Sequence, residues 1–282
     1  MQDAEQVMSK RLHRLARVST VVLIAAGAGH FLQSGDRGQA VAPAAAADAD
    51  PGPTAPPAAE TAAGDPCAET LDLVAEPGAM LALALVAPCR GDAPVVLYHA
   101  GLTVSARLDS AGTLALRLPA LDADGAVEIR FMDGHRLSAA APVGDLGGIT
   151  RVAVQWSAVD SFALHAFAPG AERDGPGHVS ASRPGARDGA AGWIAALGDA
   201  SVPAPVLAEV YTFPGDPAGV TLDLEAALTP ATCGRAVMAE LIERADGRIL
   251  RRDLVIPMPD CAEGDGYLVL QNPFADRKRA GN

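Results

Sequence analysis

Four side chains in this sequence have types and spacing suited to chemistry: Asp160, His165, His178 and Trp193. An imidazole exchanges a proton near neutrality and ligates metals, a carboxylate orients it, and an indole stacks on rings. The stretch VQWSAVDSFALHAFAPG, Val154 to Gly170, brings Trp156, Asp160 and His165 within ten residues of a chain that is only 4% aromatic. With Glu209, these groups would serve a hydrolase or sugar-binding enzyme whose site lies under the Gly/Pro/Ala-rich stretch from Pro169 to Pro205. Loops of that length usually have a function or move.

The rest of the chemistry is thin. Ser157 and Ser161 stand near Asp160 and His165, but a triad is defined by geometry and not by nearness in the chain, and there is no G-x-S-x-G elbow. No H-x-x-x-H, H-E-x-x-H or second ligand beside His99 suggests zinc or iron, and Asp122, Asp124 and Glu128 lack the further ligands of a calcium loop. His135, in the MDGHR turn, reads as exposed, and His13 and His30 as interfacial. No catalytic residue, metal or cofactor is therefore expected. The binding candidates are Asp160, His165, His178 and Trp193, with packing the competing role for Trp193 and for a half-buried His165.

The elements that must position these groups are strands. In Phe162–Phe167, Phe162, Leu164 and Ala166 share one face while Ala163, His165 and Phe167 share the other. Short alternating runs recur from LDLVAE to AVEIRFMD, and again from ITRVAVQW to YLVLQN, separated by Gly, Pro and Asp turns. LTVSARLDSAGTLALRLPAL reads as a β-hairpin across Asp-Ser-Ala-Gly, and ERADGRILRR as a second one. AVMAELIER fits a helix or a strand, and its flanking glycine and nearby cysteine favour strand. The fold class is mainly β, with two sandwiches of the Ig-like or transthyretin-like kind at 67–146 and 147–275, divided at GDLGG.

Ahead of them, KRLHRLAR runs into VSTVVLIAAGAGHFL, the basic-then-apolar order of an export signal or anchor. Small residues come too late for easy cleavage, so residues 1–34 are expected to be a cytoplasmic basic segment and an uncleaved single-pass anchor in the inner membrane through 18–32. Residues 35–66 are an Ala/Pro-rich disordered tether, and 276–282 a flexible tail. The sandwiches then lie in the periplasm. Residues 1–34 hold four Lys/Arg and two acids, so the other 18 basic and 32 acidic groups leave the exported part at −14, which disfavours a nucleic-acid partner. The four cysteines form two local pairs, expected as Cys67–Cys89 and Cys233–Cys261, in keeping with an oxidising compartment.

Trp156, Asp160, Leu164, His165, Pro169 and Gly170, followed by Gly177 and His178, resemble a bacterial envelope β-sandwich with a Trp…Asp-Leu-His signature. Where that pattern carries Asp-x-Asp before Leu-His, this chain has Ser161, Phe162 and Ala163, which removes the acids a cation would use. The anchor, the tether, CAETLDLVAEPGAMLALALVAPC and the LVIPMPDC tail are similar to membrane-anchored alphaproteobacterial envelope proteins often labelled translocase. One short apolar segment cannot form a pore, so the resemblance implies location rather than transport. The expected function is a tethered, non-enzymatic binding or scaffold protein, or an accessory subunit with another envelope protein as its partner. A periplasmic hydrolase or carbohydrate-binding enzyme is the alternative.

Overall fold

The structure is a computed structural model that describes residues 65–215, 219–261 and 266–274. The anchor at 18–32, the tether up to Gly64 and the tail at 276–282 lie outside the described residues. Among the described residues no helix is long and apolar enough to cross a membrane.

Residues before Gly144 build two antiparallel sheets. One has the order β1-β2-β5, from Thr70–Glu76, Met80–Val86 and Thr113–Pro119. The other runs β4-β3-β6-β7, from Leu102–Arg107, Pro94–His99, Ala126–Phe131 and Arg136–Ala140. A single 3-10 turn, Leu146–Gly148, leads into β8, Arg151–Ser157. From there come β9 (Phe162–Phe167), β10 (His178–Val179), β11 (Trp193–Leu197), β12 (Val206–Thr212), β13 (Thr221–Leu228), β14 (Ala236–Ala245), β15 (Arg248–Pro257) and β16 (Gly266–Gln271). They form a four-stranded sheet, β10-β9-β13-β16, and a five-stranded one, β11-β12-β8-β14-β15. AVMAELIER is thus a strand, and β14 and β15 are a hairpin whose Asp246 and Gly247 sit at φ 51° and 71°, the left-handed pair that a tight hairpin turn requires. Both expected disulfides are present, with Cα–Cα distances of 5.2 Å for Cys67–Cys89 and 5.0 Å for Cys233–Cys261.

The expected hairpin at 102–119 does not form. β4 pairs with β3 and β5 with β2, so the chain between them crosses from one sheet to the other. Asp109 organises the crossing: Oδ1 accepts from the N–H groups of Ala111 at 3.0 Å and Thr113 at 2.8 Å, and Oδ2 accepts from Thr113 Oγ1. Gly112, at φ 76°, lies so close to Ala87 that a Cβ would sit 2.1 Å from its carbonyl oxygen. Leu108 plugs the corner, fully buried. Alternation could not reveal this, since each strand has the same inward face in a hairpin or a sheet-to-sheet corner.

At its centre the five-stranded sheet is buried on both sides. Val152, Val154, Tyr211 and Leu241 face the core shared with the four-stranded sheet, together with Trp156, Phe162 and Leu164. Their neighbours Ala153, Val210 and Ile242 face the other way and join the core of the first half, beside Leu97, Leu102 and Ile129. This explains why Arg151–Trp156 is buried without a break, where a one-sided strand would alternate.

Arg151 stands where the halves meet and is wholly buried. Nε donates to Thr212 Oγ1 at 2.9 Å, Nη1 to the carbonyls of Ala79 at 2.7 Å and Ala120 at 2.5 Å, and Nη2 to Gly78 O at 2.8 Å. The β1–β2 turn is thereby held from both sides, because Asp145 Oδ2 accepts from Gly78 N at 2.8 Å and Ala79 N at 3.0 Å.

Candidate functional site

His165 and His178 meet. β9 turns His165 and Phe167 to the outer face of the four-stranded sheet, and the short β10 sets His178 directly opposite Phe167. The loop between them closes on itself, with Ala168 N–H bonded to Gly177 O at 3.0 Å and Gly170 and Gly177 at φ 76° and 84°. His178 stacks on Phe167, their ring centres 4.8 Å apart, and lies 5.1 Å from the ring of His165.

The donors set the tautomers. Asp174 N–H donates to His178 Nδ1 at 2.9 Å, so the neutral ring carries its proton on Nε2. That Nε2–H donates to His165 Nδ1 at 2.8 Å, which leaves the proton of His165 on Nε2, 3.2 Å from Glu225 Oε2 and too oblique for a good hydrogen bond. Glu225 is ion-paired with Arg173, whose guanidinium lies 5.5 Å over the ring of Tyr267. Burial pushes His165 down to about 4, and the nearby Arg173 and His178 add to the effect while Asp174 opposes it. His178 is lowered too, first by burial. The result is a one-way chain of neutral donors that pins the 169–177 loop to the sheet and leaves no ring nitrogen of either histidine turned to a substrate.

The other expected site residues lie elsewhere. Asp160 is buried at the turn after β8, where Oδ2 accepts from Met238 N at 2.9 Å and Oδ1 lies 2.6 Å from Arg235 Nη1. Glu209 pairs with Val154 in register and so projects into the core, where Oε2 accepts from Leu164 N at 2.6 Å. Burial pushes its carboxyl up to about 7, against the pull of that bond. Among the described residues, no group of three or more His, Cys, Asp or Glu is arranged to hold a metal ion.

Trp193 belongs to β11, in the stretch that reads from sequence as a long loop, and pairs with Thr212. It lines a cleft of about 390 Å³ at the junction of the halves, with Gly78, Gly148, Arg187, Phe213 and Gly215. The Arg187 guanidinium lies 5.3 Å over its ring.

Sequence reasoning missed Glu225, Arg173, Arg151 and Arg187. Glu225 alternates with Leu222 and Leu224 on β13, which looks like a solvated strand face, and only the pairing of β13 with β9 turns it toward His165. His99 closes β3, bonded by Nδ1 to Ala126 O at 2.9 Å and accepting Leu121 N–H on Nε2 at 2.8 Å. His135 is exposed, as its turn position implies, and its Nε2 lies 2.7 Å from Glu69 Oε2 beside the Arg90 ion pairs. The chain matches no protein-family model and no curated protein.

Proposed function

We propose that this chain is a membrane-tethered envelope protein of the periplasm, acting without catalysis as a scaffold or accessory subunit that docks another envelope protein. The observation that carries the reading is an apolar pair on the outer face of the five-stranded sheet. Met238 and Val255 are direct cross-strand partners, 62% and 58% exposed, in the same sheet whose outward Ala153, Val210 and Ile242 bury against the first half. Val159, 64% exposed, sits on the neighbouring turn that Asp160 ties to β14. An exposed apolar cross-strand pair, set off from the buried part of its face by the polar Glu240–Asp253 pair, favours a further protein surface. Photocrosslinking in cells, with the probe at position 238 or 255 of the full chain, should yield one discrete adduct that a probe at Val74 does not. Equal labelling from all three positions would remove the reading.

His165, His178 and Glu225 converge as the hydrolase or carbohydrate-binding enzyme requires, and because both imidazoles are buried this second reading needs the 169–177 loop to open. Hydrolysis of an ester or glycoside probe that disappears in both H165Q and H178Q would establish it in place of the first.

A further inference from the structure

Arg151 is a buried cation none of whose partners is a carboxylate: its donors go to three carbonyls, the hydroxyl of Thr212 and, at 3.9 Å, Met80 Sδ. Arg244 lies directly opposite it in the β8–β14 pairing, is also buried, and donates to the carbonyl of Ile149. Buried charges are ordinarily paired, and two guanidiniums side by side leave a positive field in a chain of net charge −12. Arg151 is lowered to about 9 by burial, and further by the charges of Arg244 and Arg187, with Asp145 opposing.

That field opens on the junction cleft. Gly78 and Thr212, which Arg151 grips, line it, and so do Arg187, Trp193 and Phe213. The acids nearby are Asp188, exposed on the lining, Asp145, whose Oδ2 already accepts two backbone N–H groups, and Asp122 and Asp246, which act on Arg244 from outside the lining. Gly148 and Gly215 also line the cleft without a positive φ, and a Cβ on either would meet nothing within 4 Å. Neither chain geometry nor packing demands glycine there, and the space beside each is open.

We propose that this cleft binds a small anionic ring compound, a carboxylate or phosphate carried on a single sugar or aromatic ring. The anion sits against Arg187 within the field of Arg151 and Arg244, and the ring lies along Trp193 and Phe213. A cleft of about 390 Å³ is at the small end of ligand sites, which suits one ring and not an oligomer. The site does not depend on the docking edge at Met238, so either can fail alone.

The test is titration of the full chain with glucuronate, glucose 6-phosphate, inorganic phosphate and glucose, read by tryptophan emission and by saturation-transfer NMR of the probe. At least one ring anion should bind saturably and tighter than both glucose and inorganic phosphate, and the tighter of the two tells carboxylate from phosphate. R187Q, a change at an exposed residue, should weaken that binding roughly tenfold, as loss of a charge-assisted contact does. W193F should abolish the emission change while NMR still reports the bound probe. Absence of saturable binding by either ring anion overturns the proposal. So does unchanged affinity in R187Q, binding of glucose as tight as that of the ring anions, or inorganic phosphate binding as tightly as they do.

Discussion

Arg151 Nη2 donates to the carbonyl oxygen of Gly78 at 2.8 Å, a bond between residues 73 positions apart that joins the first strand of the second half to the first turn of the first. The same guanidinium bonds the buried Ala120 carbonyl. Replacement by Met keeps apolar volume but strands that carbonyl and frees the turn, at a cost of about 2–4 kcal/mol. R151M should lower the urea midpoint accordingly, and R151K should recover only part, because an ammonium cannot reach four acceptors in one plane. An unchanged midpoint in R151M would show that the turn is held without the guanidinium.

Glu209 should make the protein less stable as pH rises. Its folded pKa of about 7 lies above the ordinary 4.5, so between those values the folded state keeps a proton that the unfolded chain has released. The stabilisation is complete below pH 4.5 and is lost by pH 7, a span worth roughly 3 kcal/mol. E209Q retains an acceptor for Leu164 N–H without ionising, so its stability relative to the parent should climb over that window and level off above it. Chemical denaturation at a series of pH values reads the slope, and parallel profiles for the two proteins would refute the assignment.

His165 works in the opposite sense. Its folded pKa of about 4 lies below the ordinary 6.5, so the unfolded chain binds a proton that the folded state refuses. Stability is full above pH 6.5 and falls as pH drops toward 4, by roughly 2–3 kcal/mol. The two windows overlap and oppose, which flattens the parent's profile. H165Q should therefore uncover the Glu209 slope, and E209Q should uncover an acid loss centred on the histidine. Amide exchange in the 169–177 loop should quicken in the same acid range, because a proton on His178 Nδ1 or His165 Nδ1 turns an acceptor against a donor.

Most of the strands could be read from alternation, because each apolar residue that lines a core repeats at every second position. What alternation cannot carry is partnership. β4 and β5 have the pattern of a hairpin and belong to different sheets, and β11 hides in Gly-rich sequence because its five residues, WIAAL, are apolar throughout and show no alternation. His165 stood out from its neighbours, whereas Glu225 and Arg151 did not. A carboxylate in an alternating strand, or an arginine opening one, looks solvated until the fold supplies an imidazole or a set of carbonyls.

Because β8 is buried on both faces, the protein cannot come apart at its chain midpoint. A fragment starting at Gly147 would turn Ala153, Val210 and Ile242 to water and would stick to its own kind through that face. Melting of the described region should accordingly register as one cooperative event, with the linker at 144–148 a hinge in sequence only and the two halves sharing a single fate.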